Sequence, residues 1–253
     1  MKSKYLFGLL GVLMCGFYVA AQQPDISDPL SQQPMTVVER QLLKMADLSD
    51  VQQMYDTLKT ENERRNFIHA LRLYFTTKNI TSIPPWVENA VLTELTSQNA
   101  FDVAEAVKTA GTLKINCGAA LMDLYRAVPA RYGSNEELLK SYVIRSLSRI
   151  GDPGNHQFFY EVLTTDRMPL LSAQFDALLD AIDENRKIDS KSIAFDTKLA
   201  EYSAKLSSFK TRIDESKNPG DFGKRAGEML KKIQHLRDGI AKDQAPLLKG
   251  GVK

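Results

Sequence analysis

The sequence predicts an all-α protein, built as a short stack of helix pairs followed by an antiparallel helical hairpin. From about residue 36 to 185, apolar residues recur at intervals of three and four, as on one face of an α-helix. Over residues 191–243 these intervals alternate regularly, which is typical of a coiled coil. The 253-residue chain has 43% apolar residues but only 14 Gly and 10 Pro, a globular composition with few turn residues for an all-β fold.

The N-terminus is predicted to be a signal peptide. Lys2 and Lys4 precede an unbroken stretch of 17 apolar residues or glycines, from Tyr5 to Ala21. The sequence Val19-Ala20-Ala21 fits the residues that signal peptidase accepts before its cleavage site. We therefore expect residues 1–21 to be removed by cleavage near Ala21, and the mature protein to be periplasmic or secreted.

Besides a cleaved signal peptide, the segment has two alternative interpretations, a membrane anchor and a lipoprotein signal. A retained membrane anchor is disfavoured because a spanning helix needs about 20 apolar residues. A lipoprotein formed on Cys15 is disfavoured because Met14 is not the small residue expected before a lipidated cysteine. The segment that follows, residues 22–35, is rich in Pro and Gln and is predicted to be a flexible leader.

The charge of the chain is unevenly distributed. The first 21 residues hold two lysines and no acidic residue, so the rest of the chain carries 31 basic and 31 acidic side chains. This balance argues against nucleic acid as a partner. Residues 191–253 nevertheless contain 14 Lys and Arg against 8 Asp and Glu, whereas residues 22–190 contain 17 against 23. The basic C-terminal part is either a lysine-rich solvated face or a binding patch for an anionic envelope surface or an acidic partner.

Residues 36–190 are predicted to form the stack of short helices. Pro84-Pro85 can occupy the first turn of one helix. Ser134, with Glu137 three residues later, has the pattern of a capping box at the start of another. Gly111 is predicted to interrupt the helical pattern. The resulting helical segments are about 11–17 residues long, a normal length for globular helices.

A helix-pair repeat is indicated by the places where paired helices end. These ends are predicted near Ala110, Ile150 and Ile182, which are 40 and 32 residues apart. The clearest unit is residues 146–153, Ser-Leu-Ser-Arg-Ile-Gly-Asp-Pro. Here Gly151 can end a helix in a left-handed conformation, Asp152 can cap the next helix, and Pro153 blocks continuation.

This turn resembles the Leu-x-x-Ile-Gly-Asp-Pro turn that often closes helices in the bacterial HEAT-repeat family. The resemblance covers residues 50–185 and implies a HEAT-like α-solenoid over the domain of residues 36–190. Such stacks present an extended, often concave surface that binds peptides or other proteins. An irregular helical bundle is the alternative architecture.

The C-terminal hairpin is predicted from two heptad stripes over residues 191–243. The first stripe consists of Phe195, Leu199, Tyr202, Leu206, Phe209 and Ile213. The second consists of Phe222, Ala226, Met229, Ile233, Leu236 and Ile240. The turn Asn218-Pro219-Gly220 between them pairs Leu199 with Ile240 and Leu206 with Ile233. The hairpin could cap the stack, project from it or pair with a second copy, and residues 244–253 are predicted to be a disordered tail.

The sequence shows no recognisable catalytic or metal-binding pattern. The three histidines, which lie far apart in the sequence, are His69, His156 and His235. No zinc-binding pair, nucleophile elbow, P-loop or dinucleotide fingerprint is present. Cys117 is interpreted as a small buried hydrophobe. The acidic residues near one helix end, expected to be solvated, are Asp180, Asp183 and Glu184.

These observations favour an exported, non-enzymatic interaction or scaffold protein of the cell envelope, with no cofactor and no evident small-molecule substrate. Its partner is expected to be another protein, either a second copy or an acidic envelope component. The candidate interaction residues, all on the basic hairpin, are Lys205, Lys210, Lys224, Lys231 and Lys232. The alternative is an envelope enzyme or enzyme subunit whose site is assembled from dispersed residues.

Overall fold

Helices and their connecting turns account for all the residues that the structure, a computed structural model, describes: 36–165, 168–186, 193–216 and 220–249. The helices are Val37–Lys44 (α1), Leu48–Thr57 (α2), Glu61–Thr77 (α3), Pro85–Glu94 (α4), Ala100–Leu113 (α5), Gly118–Tyr132 (α6), Glu136–Ile150 (α7), Asn155–Thr165 (α8), Ala173–Asn185 (α9), Ile193–Asp214 (α10) and Gly220–Lys249 (α11). The predicted all-α class is confirmed. The predicted signal peptide (1–21) and leader (22–35) lie outside the described residues.

Local sequence explains where several helices begin. Thr36 caps α1, because its hydroxyl accepts from the Glu39 N–H at 3.2 Å while its own N–H donates to the Glu39 carboxylate at 2.5 Å. Thr60 and Glu63 form the same reciprocal pair at the start of α3. Pro85 begins α4, as predicted, where its missing N–H costs no helical hydrogen bond.

Two predicted helix signals are wrong. A 3-10 helix at Gly133–Asn135 delays the start of α7 to Glu136, so Ser134 does not reach the capping position. Glu137 instead accepts a hydrogen bond from the N–H of Ala173, the first residue of α9, at 2.7 Å. Gly111 does not interrupt its helix but lies inside α5, where an added Cβ would come within 2.6 Å of the Ser146 Cα. It permits close packing of α5 on α7.

The helices form two rows. In the first row α1, α3, α5, α7, α9 and α11 each contact the next, and in the second α4, α6, α8 and α10 each pack on the first-row helix that follows. Contacts within the first row are much more extensive than those within the second. This arrangement of helices in successive pairs is compatible with the predicted helical solenoid.

The turn between α7 and α8 has the predicted geometry. Gly151 adopts a left-handed conformation with φ of 71°, and its N–H donates to the Leu147 carbonyl at 3.2 Å. The Asn155 amide donates to the same carbonyl at 2.8 Å, which ties the start of α8 to the end of α7. Leu147 is fully buried as predicted, whereas Ile150 is only half-buried.

The hairpin of α10 and α11 forms the last layer of the stack. The two helices are antiparallel, with Arg237 of α11 donating to Asp196 of α10 at 2.6 Å. On α10, the Phe195 ring packs against His156 and Tyr160 of α8, with ring centroids 4.7 and 5.3 Å apart. α11 packs on α9. Of the three predicted arrangements, the structure has the hairpin capping the stack.

The seam between α10 and α11 is fully buried near the rest of the stack and more exposed towards the turn that joins the two helices. The fully buried seam residues are Phe195, Leu199, Leu206, Ala226, Ile233, Leu236 and Ile240. Phe222 was predicted in the seam but is 42% exposed, because it lies in the first turn of α11, beyond the last buried layer. The tail predicted over residues 244–253 is helical as far as Lys249, where α11 ends, and its last four residues lie outside the described residues.

Candidate functional site

The hairpin is attached to the stack by a cluster of charged side chains between α7, α9 and α11. The ammonium of Lys232 lies 2.5 Å from carboxylate oxygens of both Asp176 and Asp180. Arg145 of α7 binds the other oxygens of these two carboxylates at 3.3 and 3.4 Å. Burial acts to lower the pKa of Lys232, but its hydrogen bonds to the two aspartates outweigh burial and raise the pKa. Lys232 is therefore an internal contact and not a free binding residue.

Further polar contacts hold the same layer. Arg225 of α11 donates to the Leu171 carbonyl at 2.9 Å, in the turn before α9. Arg186, at the end of α9, donates to Asp183 at 2.8 Å and also binds Asp243 of α11. These contacts fix α11 on α9 and on the turn before it, from Arg225 near the start of α11 to Asp243 near its end.

A groove of about 520 Å³ runs between the end of α10 and the start of α11, next to the turn of the hairpin. Its lining residues are Lys210, Asp214, Gly220, Gly223, Lys224, Gly227, Glu228 and Lys231. Three of the five predicted lysines thus meet in one groove. The aliphatic stem of Lys210 lies over Gly227, where an added Cβ would be 3.4 Å from the Lys210 Cε.

The lysines of this basic groove differ in their local partners. Lys210 makes an ion pair with Asp214, one turn further along α10. Lys224 and Lys231 are exposed and make no ion pair with any described residue. Lys205, which does not line the groove, is exposed and has its ammonium 5.4 Å from the centroid of the Tyr202 ring. Lys224 and Lys231 are therefore the two predicted residues that are free to bind a partner.

A second charged cluster, which the sequence analysis missed, lies inside the first row of helices. His69 of α3 is 1% exposed, and its two ring nitrogens lie 3.3 Å from Glu39 of α1 and 3.0 Å from Glu105 of α5. Arg72 and Lys108 bind the Glu105 carboxylate at 3.2 and 2.8 Å. The cluster joins three successive helices of the row.

Glu105 is the best-compensated charge of this cluster. Burial alone would raise the pKa of Glu105, but the hydrogen bond from His69 and the positive charges of Arg72 and Lys108 outweigh burial and hold the pKa at about 2. Lys108 also lies 4.6 Å from the ring centroid of Tyr142 on α7. Because all these groups satisfy one another in the interior, the cluster is structural and offers no open site.

The sequence contained a signal for these internal contacts. The hydrogen-bonded pairs Ser146 with Val107, His69 with Glu105, and Arg145 with Asp180 are separated by 39, 36 and 35 residues. These separations approximate one helix pair, the period predicted from the helix ends. A search for polar residues at that period, and not only apolar ones, would have found the charged cluster.

The acidic residues of α9 were expected to be solvated. Glu184 is exposed, as predicted, and also accepts a hydrogen bond from the Ser148 hydroxyl of α7. Asp180 and Asp183 are half-buried: Asp180 binds Lys232 and Arg145 on neighbouring helices, and Asp183 binds Arg186 at the end of its own helix. The sequence alone did not indicate the contacts of Asp180, because they come from α7 and α11.

Cys117, metal-binding groups and membrane-spanning helices were the other features considered in the described part of the chain. Cys117 is buried, as predicted, and burial raises the pKa of its thiol to about 11. Within residues 36–165, 168–186, 193–216 and 220–249, no three His, Cys, Asp or Glu side chains are grouped so that they could hold a metal ion. None of the helices in these ranges is both long enough and apolar enough to cross a membrane.

Comparison with known proteins identifies no relative: no protein-family model, curated protein or solved structure matches the chain. The resemblance of residues 146–153 to the HEAT-repeat turn therefore stays a prediction. The candidate functional site rests on the geometry and charge of the basic groove.

Proposed function

We propose that this protein is an exported, non-enzymatic scaffold of the cell envelope that binds an acidic protein partner through the basic groove of its C-terminal hairpin. The stacked helices serve as a support, and their remaining surface is available for further contacts. The proposal of export rests on the charged and apolar pattern of residues 1–21.

One observation carries the proposal of an acidic partner. Lys224 and Lys231 line the same groove, and neither has an anionic partner among the described residues. The lining contains three lysines against Asp214 and Glu228, so it carries a net charge of +1, and this positive charge favours a negatively charged ligand. By contrast, Lys232 and the charged groups on α9 are already paired with each other.

The attachment of the hairpin also supports a binding role. The seam near the stack is fully buried and Lys232, Arg225 and Arg186 fix α11 on α9. Because the two helices of the groove are already fixed, little backbone entropy of the groove is lost when a partner binds. The polar outer face of the last layer keeps the stack from continuing.

The proposed function is tested by affinity capture from native envelope extracts at low and high salt. The wild type is compared with Lys224→Glu/Lys231→Glu and with the matched control Lys44→Glu/Lys59→Glu, which reverses two exposed lysines at the other end of the stack. We expect an acidic protein to be retained by the wild type and the control, and lost on charge reversal in the groove or in high salt, since salt screens charges over about 8–10 Å. Retention that is indifferent to both changes would contradict the proposal.

A further inference from the structure

The dimensions of the basic groove restrict the ligand that it can hold. Its lining runs along α11 from Gly220 to Lys231, which is about 16 Å at 1.5 Å per helical residue. An extended chain rises about 3.3 Å per residue, so a segment of about five extended residues spans the groove. Its volume of about 520 Å³ is elongated and open, which suits a strand of peptide better than a compact anion.

The two unpaired lysines define a spacing. Lys224 and Lys231 are seven residues apart on α11, so they are separated by about 10 Å along the helix axis. In a polyproline II segment, which rises about 3.1 Å per residue with three residues per turn, two side chains three residues apart lie on the same side at about 9 Å from each other. The groove therefore matches an acidic segment of the form Asp/Glu-x-x-Asp/Glu.

The chain itself contains four such segments, of which three lie in or directly before helices α2, α5 and α9 and one lies before the first described helix. Asp25-Ile-Ser-Asp28 lies within residues 22–35, which contain no Lys or Arg. Pro29 follows directly, and a proline biases the residue before it towards an extended conformation. Resting on the proposed role of the groove, we propose that residues 25–28 of one copy bind in the basic groove of a second copy.

The length of the chain decides between the same copy and a second copy. Residues 29–35 can span at most about 25 Å before α1 begins. From α1 to α11 the first row has five helix-to-helix steps, each about 8–10 Å, giving about 40–50 Å along the row. Residues 29–35 are shorter than this length, and we therefore assign the segment to the groove of another copy. Such a contact is head-to-tail and produces either a closed ring or an open chain of copies.

The first test uses a labelled peptide of residues 22–35 and the purified protein from an exporting host, held at a dilution where it is monomeric. Fluorescence anisotropy is expected to show saturable binding that weakens with salt and falls about tenfold for Lys224→Glu/Lys231→Glu, because each of two exposed ion pairs becomes a repulsion. The control Lys44→Glu/Lys59→Glu keeps wild-type affinity. A peptide with Ile26 and Asp28 exchanged keeps its composition but loses the spacing, and binds more weakly.

The second test is a charge exchange between copies, measured by sedimentation velocity. Asp25→Lys/Asp28→Lys and Lys224→Glu/Lys231→Glu are each expected to lose the concentration-dependent association of the wild type, and a mixture of the two variants to associate again as a two-copy complex. Circular dichroism establishes that both variants are folded. A mixture that stays monomeric, or single variants that associate like the wild type, would overturn the inference.

Different outcomes of these experiments contradict the proposed function and the second-copy inference. If the groove lysines retain an acidic envelope protein while the peptide of residues 22–35 shows no binding, the proposed function stands and the second-copy inference is wrong. If the peptide binds and no other protein is retained, the groove joins copies of this chain only. If neither binds in a lysine-dependent manner, both proposals are wrong.

Discussion

Lys232 of α11 places its ammonium 2.5 Å from a carboxylate oxygen of Asp180 on α9, across the boundary between the hairpin and the rest of the stack. The preceding residue, Lys231, points to the groove on the other side of the same helix. Two adjacent lysines thus have different roles: one attaches the hairpin, and the other is free to contact a partner.

This difference predicts unequal effects of one substitution at two adjacent positions. Lys232→Met is expected to lower the free energy of unfolding by about 1–2 kcal/mol, because it leaves Asp176 and Asp180 with Arg145 as their remaining cation. Lys231→Met is expected to change stability by less than about 0.5 kcal/mol. Urea unfolding measures both values, and equal effects at the two positions would rule out the internal role of Lys232.

The stack itself is tested at Leu147, which is fully buried in α7. Leu147→Ala is expected to cost about 2–5 kcal/mol, since it removes buried apolar volume that neighbouring helices cannot refill completely. Leu138→Ala, on the same helix at a side chain that is 36% exposed, serves as the control and is expected to cost far less. A loss near zero for Leu147→Ala in urea unfolding would place this face of α7 at the surface.

Two helical glycines are expected to respond to alanine with opposite signs. Gly111→Ala places a methyl group against the backbone of Ser146 at 2.6 Å and is expected to destabilise the protein by about 1–3 kcal/mol. Gly227→Ala meets only the flexible end of Lys210 at 3.4 Å, so helix propensity is expected to stabilise the protein by about 0.5–1 kcal/mol. Thermal unfolding of both variants gives the signs, and stabilisation by Gly111→Ala would exclude the close packing of α5 on α7.

The internal charged cluster predicts an acid-sensitive contribution to stability. The folded-state pKa of Glu105, at about 2, lies below the ordinary value of 4.5, so the unfolded chain binds this proton at a higher pH. The stabilisation, on the order of 3 kcal/mol, is therefore present above about pH 4.5 and is lost as the pH falls to about 2. Unfolding of the wild type and of Glu105→Gln from pH 6 to 2 is expected to show a difference that shrinks on acidification. A constant difference would contradict the depressed pKa.

The repetitive features of the fold could be predicted because they follow from local patterns. The two heptad stripes predicted the hairpin, and the Gly-Asp-Pro turn predicted the left-handed Gly151. In both cases the information lies within a few residues of the feature, in apolar spacing or in backbone conformation.

The features that could not be predicted depend on contacts between layers. Gly111 reads as a helix breaker in sequence, and only the approach of Ser146 shows why glycine occupies a helix interior. Similarly, Glu137 was assigned to a local cap but contacts the next helix pair at Ala173. The sequence did not distinguish Lys232 from the other four predicted binding lysines. Lys231 and Lys232 are the same residue type on one helix and differ only in the groups that they face.

Site-specific photo-crosslinking in the native host shows whether the basic groove contacts an acidic partner. A crosslinking amino acid replaces Glu228, which lines the groove, and in a matched control replaces His235, an exposed residue of α11 that does not line it. We expect a discrete adduct from position 228 that disappears when Lys224→Glu/Lys231→Glu is added, and no such adduct from position 235. The same adducts from both positions, or an adduct from position 228 that persists after charge reversal, would mean that the groove lysines do not bind the partner.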